Sequence, residues 1–216
     1  MSTVGTEKAV REGSPAKRTA ILAAARELFL RHGVDRVSMD AVAARATVSK
    51  RTVYDYFGDK RRLFLAILSD ASESMNASVR RALDDHLSDD AGITTVPQLE
   101  KALTGFAIDL GTTIVGSADY TAAFALVAQQ RWQEPTAEDD VMTAAAEEAF
   151  TERLAHFVAV GLLDADDPRL ATNHFNALTV LLAYHDQPDP AKADPARVRR
   201  TMVDGVRAFI RAYGAR

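Results

Sequence analysis

The sequence predicts an all-α fold, on three observations. Apolar residues recur at helical spacing in run after run, and the strict alternation of a half-buried strand appears nowhere. Helix punctuation is explicit: Asp167-Pro168 and Asp194-Pro195 each place a capping carboxylate before a proline at the first helical position, while Gly33, Gly58, Gly161 and Gly214 follow the ends of apolar runs. About nine helices fit, a three-helix head followed by a helical body. The expected boundaries are a flexible arm over 1–14, the head over 15–60 and the body over 61–216.

Composition narrows the class. Among 216 residues there is no cysteine, so a disulfide framework and a thiolate metal site are excluded. No apolar run reaches the length of a membrane span, and the polar start Met1-Ser-Thr-Val-Gly-Thr-Glu-Lys does not read as a signal peptide, so the expectation is a cytoplasmic protein with no membrane partner. The net charge of −4 is unevenly spread. Up to Leu68 there are 13 Lys+Arg against 7 Asp+Glu, and 13 against 23 in the remainder. A basic head on an acidic body is the distribution of a nucleic-acid-binding unit joined to a sensing or assembling one.

Residues 15 to about 31 form the first helix, opened by Pro15 and apolar at Ile21, Ala24, Ala25, Leu28 and Phe29, with Lys17, Arg18 and Thr19 exposed at its start. Val37 to Lys60 then reads as two short helices around a tight turn. Ser38 caps the first, whose stripe is Met39, Val42, Ala43 and Ala46; Thr47 and Val48 turn; Ser49 caps the second, which carries the apolar pair Val53 and Phe57 and stops at Gly58. Lys50, Arg51 and Thr52 lie on the first exposed turn of that second helix. In a helix-turn-helix this is where side chains reach base edges in a major groove. They are the direct-readout candidates, Arg51 being able to grip guanine with two bonds, while Ser38, Ser49, Tyr54, Tyr56 and Lys60 are candidates for phosphate contacts along with Lys17 and Arg18. One of the two tyrosines is open to a core role instead, with Tyr54 the better DNA candidate.

Asp59 caps a long fourth helix with the stripe Phe64, Ile67, Leu68, Ala71, Met75, Val79 and Ala82, ending near Leu87. Lys60, Arg61 and Arg62 crowd its first turn against the helix dipole, which calls for a compensating negative group such as a phosphate. Thr95 to Gln98 reads as a capping box opening the fifth helix, apolar at Leu99, Leu103, Phe106, Ile108 and Leu110. Its Gly105, Gly111 and Gly116 allow close packing, leave room for a ligand, or mark an early end near Gly111. The sixth helix spans about 119–133 and the seventh about 138–160, with Phe150, Leu154 and Phe157 on its apolar face. The eighth runs from Pro168 to about Tyr184 with apolar positions Ala171, Phe175, Leu178 and Leu182, widened by Ala177 and Leu181. The ninth ends at Gly214 and carries Val198, Met202, Val206, Phe209 and Tyr213, widened by Val203 and Ile210. Stripes this broad bury two sides, which points to a four-helix bundle shared by two copies, a homodimer, with Phe175, Leu178, Leu182, Met202, Val206 and Phe209 as interface candidates. The other reading is that both sides pack within one chain.

The run Ser38, Val42, Ala43, Ala46, Val48, Ser49, Tyr54, Tyr56, Phe57 and Lys60 resembles the DNA-binding signature of the TetR/AcrR family of bacterial transcriptional regulators, over roughly Ala16 to Leu68. Thr47 stands where that family usually has a turn glycine, and Arg51 where many members have glycine. The resemblance implies a repressor acting on a double-stranded, palindromic DNA operator, a homodimer, and a body that binds a small-molecule effector between its fifth and eighth helices. Phe106, Phe124, Gln129, Trp132, His156 and Asn173 are the residues able to line such a pocket. Glu148, Glu152 and His156 share a metal-like spacing but point away from the Phe150 face, so no metal, cofactor or catalysis is expected. The alternative class is a helical binding protein, adaptor or enzyme that does not act through DNA.

Overall fold

The computed structural model describes residues 14–131 and 144–216, with side chains for all of these except Phe124, residues 128–131 and Ala144. Helix follows helix: α1 Pro15–His32, α2 Met39–Arg45, α3 Lys50–Phe57, α4 Lys60–Leu87, α5 Val96–Val115, α6 Ala118–Arg131 and α7 Ala144–Ala159. The eighth, α8, comprises Pro168–Asn176, a π-turn at Ala177–Leu181 and Leu182–Asp186, and α9 is Pro195–Tyr213. No strand occurs among the described residues beyond an isolated bridge between Leu163 and Gly214. The chain divides into two compact units within α4, the first ending at Ile67 and the second running from Leu68 to Arg216.

The caps form as their chemistry dictates. Ser38 accepts from the Ala41 N–H, Ser49 from Thr52 and Asp59 from Arg62, each satisfying an amide that the first helical turn leaves without a partner. Thr95 and Gln98 close the full capping box, and Asp167 and Asp194 cap ahead of their prolines. Gly58 ends α3 and Gly161 follows α7 at φ 73° and 75°, values that cost a side-chain-bearing residue dearly.

In the first unit Ile21, Leu22, Ala25 and Phe29 of α1 are buried with Val42, Ala43, Val53, Phe57, Leu63 and Phe64, and the Phe29 and Phe64 rings sit 6.5 Å apart. Leu22 is buried, whereas the expected Leu28 is half-buried, as is Ala46, which caps α2 instead of continuing its stripe.

The second unit is centred on four rings. Phe106 of α5 stacks on Phe150 of α7 at 4.6 Å, and Phe175 of α8 lies 4.8 Å from Phe150 and 5.3 Å from Phe209 of α9. The glycines of α5 serve close packing, and the helix runs on to Val115. A Cβ on Gly105 would meet the His86 ring at 2.5 Å, and one on Gly111 would meet Met202 at the same distance. Ile108, expected in the stripe, is only half-buried. Tyr120 is buried and donates to Ser74, which ties α6 to α4 through a satisfied hydroxyl.

The π-turn changes what α8 buries. An uninterrupted α-helix would take Ala171, Phe175, Leu178 and Leu182 inward. Instead Ala171, Phe175, Thr179, Val180 and Ala183 are buried, Leu178 is half-buried, and Ala177, Leu181 and Leu182 are exposed, because the wider turn inserts one residue into the period. The expected dimer residues are corrected accordingly. Phe175, Met202, Val206 and Phe209 are fully buried inside this one chain and have no surface to offer a partner.

Candidate nucleic-acid interface

The α2–turn–α3 segment turns on Thr47, whose φ is 56°. A β-branched residue in the left-handed region carries roughly 1–2 kcal/mol of steric cost, and the flanking caps together with the Val48 N–H to Ala43 carbonyl bond hold it there. Thr47→Gly is therefore expected to raise the urea midpoint, with a net gain of about 0.5 kcal/mol once glycine's greater unfolded-state freedom is subtracted. A lower midpoint would mean that the threonine side chain makes a compensating contact.

Val53 and Phe57 anchor α3, leaving Lys50, Arg51, Tyr54 and Asp55 exposed. Lys50 is bound to Asp40 at 2.8 Å, and that hydrogen bond, with the carboxylate's charge, raises the lysine pKa. Its ammonium also lies 5.9 Å from the centre of the Tyr54 ring. Arg51 is 87% exposed and touches Asp55 at 3.6 Å, an open ion pair of the kind that contributes little and yields readily to a stronger anion. Thr52 is committed locally, since its amide and hydroxyl both meet the Ser49 hydroxyl.

The phosphate candidates divide. Lys17, Arg18, Ser38 and Tyr54 are exposed. Lys60 donates to the Asp35 carbonyl at 2.9 Å, leaving two of its three N–H bonds for other acceptors. Tyr56 donates its hydroxyl to the Ser14 carbonyl at 3.0 Å and is half-buried beside Phe57, so it fastens the start of α1 to α3 and its phenol is already committed. The crowded cationic turn of α4 finds part of its compensation inside the protein: Asp59 caps the helix and pairs with Arg62 at 3.7 Å.

In the second unit a cavity of about 120 Å³ lies among Met75 and Val79 of α4, Phe106, Leu110 and Ile114 of α5, Ala146, Glu147 and Phe150 of α7, and Asn176, Val180 and Leu181 of α8. Of the expected pocket residues, Phe106 lines it. His156 and Asn173 are exposed and lie outside its lining; His156 follows the outward phase of α7, with its ring edge near Phe157. The side chains of Phe124 and Gln129, and the whole of Trp132, fall outside the described residues. The sequence marked Met75, Val79 and Leu110 only as core stripe, and nothing in it singled out Val180, which the π-turn brings to the wall. No group of three or more His, Asp or Glu side chains able to hold a metal ion occurs among the described residues. There too, no single helix is long and apolar enough to cross a membrane.

Comparisons with known proteins agree with this arrangement. The profile of bacterial regulatory proteins, tetR family, matches residues 21–67, and that of the AefR-like transcriptional repressor, C-terminal domain, matches residues 101–215. Over 67 residues the chain is 39% identical to the HTH-type transcriptional activator FasR of Mycolicibacterium smegmatis, a match covering 31% of each protein. Over 63 residues it is 41% identical to the DNA-binding transcriptional repressor TetR of Mycobacteroides abscessus, covering 29% of this chain and 33% of that one. The chain thus matches about a third of the length of these curated relatives. Among solved structures, the Flavonoid-responsive Regulator FrrA is 28% identical with a TM-score of 0.63, over 94% of this chain and 100% of that one. NalD, the secondary repressor of the MexAB-OprM multidrug efflux pump in Pseudomonas aeruginosa, is 25% identical with a TM-score of 0.60, over 92% and 95%. The matched families and named relatives are regulators. With one family profile on the head and a second covering more than half the chain, this protein belongs to the tetR family of bacterial regulatory proteins.

Proposed function

We propose that this chain is a sequence-specific DNA-binding transcription regulator, a repressor that leaves a palindromic operator when a small apolar molecule occupies the cavity of the second unit. The observation that carries the reading is the doubly capped α2–turn–α3 segment, which presents Lys50, Arg51 and Tyr54 together on the exposed face of a helix anchored by Val53 and Phe57. Repression is favoured over activation by the description of the family matching the body and by the named function of NalD. The role is binding without catalysis, exercised in the cytoplasm, where the operator is.

An electrophoretic shift against DNA from the chain's own upstream region tests this. Specific binding is expected to weaken steeply between about 50 and 200 mM salt, as phosphate contacts release counterions. Equal affinity for upstream and random DNA would exclude sequence-specific regulation and leave the rival reading, a helical binding protein that does not act through DNA.

Two copies are needed to read a palindrome, with recognition helices about 34–36 Å or a multiple of that apart. The surface for pairing is the outer face of α8 and α9, where Leu181 and Leu182 are 53% and 47% exposed and Leu178, Val203 and Ile210 are half-buried. Leu181→Asp with Leu182→Asp is expected to give a folded monomer in sedimentation velocity, with operator affinity reduced by 10-fold or more, on the order of 1.4 kcal/mol. A dimer that persists in the double variant would move the interface elsewhere.

A further inference from the structure

We infer that the second half of α8 is a two-register switch, and that an occupant of the cavity selects between the registers. The proposal rests on the reading of that cavity as the effector site and goes beyond it by naming the moving part. The sequence from Phe175 onward carries two apolar faces one residue apart. Continued at the α period, the helix buries Leu178 and Leu182; with the π-turn it buries Val180 and Ala183 and leaves Leu182 47% exposed. One residue of phase is about 100° of rotation, so the two registers exclude each other.

Opposed forces act on the choice. The observed register is held by Gly205 of α9, where an added Cβ would stand 2.1 Å from the Leu178 carbonyl oxygen. The alternative is favoured by the better backbone bonding of an uninterrupted α-helix and by burial of Leu182 in place of the smaller Ala183. A segment with such balanced demands has two discrete states. The cavity reads them, because Val180 and Leu181, which follow the start of the π-turn, line it in the observed register, and a change of register would turn them by about 100°. A ligand packed on that wall therefore stabilises the π register.

The chain has no cysteine, so one introduced thiol reports on one position. Ala183 and Ala171 are both fully buried on α8, after and before the turn. The Ala183→Cys thiol is expected to react with a colorimetric disulfide reagent about tenfold faster than the Ala171→Cys thiol. Saturating N-phenyl-1-naphthylamine, a neutral apolar fluorophore, is expected to remove about that factor. Deleting Ala177 in the Ala183→Cys background makes the π-face continuous at the α period and is expected to abolish the excess reactivity. Hydrogen exchange on the unsubstituted chain reads the same event: amides of 180–183 are expected to exchange faster than those of 172–175 and to slow with the fluorophore. Equal rates at the two thiols overturn the switch. So does an excess that survives deletion of Ala177, which would be fraying of the helix end, or one that ignores a fluorophore shown by its emission to be bound. A fluorophore that does not bind overturns the effector reading of the cavity and the ligand control with it, a failure distinguishable from equal thiol rates.

Discussion

Phe175→Ala is expected to lower the folding stability of this protein by about 3–5 kcal/mol, read as a fall in the urea midpoint at unchanged slope. The ring is fully buried and touches three others, Phe106 at 6.0 Å, Phe150 at 4.8 Å and Phe209 at 5.3 Å, so α5, α7 and α9 all lose contacts at once. None of these neighbours can collapse into the space without breaking its own packing, which puts the cost at the cavity-forming end of the range. The same variant separates core from interface. A residue in the core of one chain gives a loss that does not depend on protein concentration, whereas an interface residue gives a loss that shrinks as concentration rises. Concentration dependence here would return Phe175 to the dimer contact from which its burial removes it.

Arg51→Ala is expected to cost about 1–3 kcal/mol in discrimination between the operator and a single-base variant while leaving affinity for random DNA nearly unchanged. The guanidinium is 87% exposed and its contact with Asp55 is loose, so little is lost in the free protein and the effect falls on the complex. Lys60→Ala supplies the contrast. It should weaken binding to all sequences alike and reduce the salt slope by about one. Because Lys60 also bonds the Asp35 carbonyl, a thermal melt of that variant must accompany the binding data to separate a lost phosphate contact from a loosened fold. Equal losses on specific and random DNA for both variants would remove Arg51 from the base-reading role.

The contrast between the two units shows what local sequence can express. Ser38, Ser49, Asp59, Thr95, Asp167 and Asp194 each act within three residues of themselves, so their capping was readable directly, and with it the starts of α2, α3, α4, α5, α8 and α9. Position 47 was not: a branched residue stands where the resemblance implies glycine, and only the structure shows that Thr47 nonetheless adopts the left-handed conformation, at φ 56°. Nor was the fate of a polar side chain on the helix surface. Tyr56 and Lys60 reach carbonyls 42 and 25 residues away in sequence, at Ser14 and Asp35, and no spacing rule connects those pairs.

By itself the sequence determined the helical class and the capped helix-turn-helix with Lys50 and Arg51 on its exposed turn, because these rest on short-range periodicity and capping, while the family was legible through the resemblance of its signature residues. Only the tertiary structure decided which apolar residues of α8 and α9 are core. Packing against Gly205 and the phenylalanine cluster accommodates a π-turn that shifts the buried face by one residue. That shift carries Val180 to the cavity wall and Leu182 to the surface, and a change of phase accommodated by packing against the following helix leaves no mark in the local pattern.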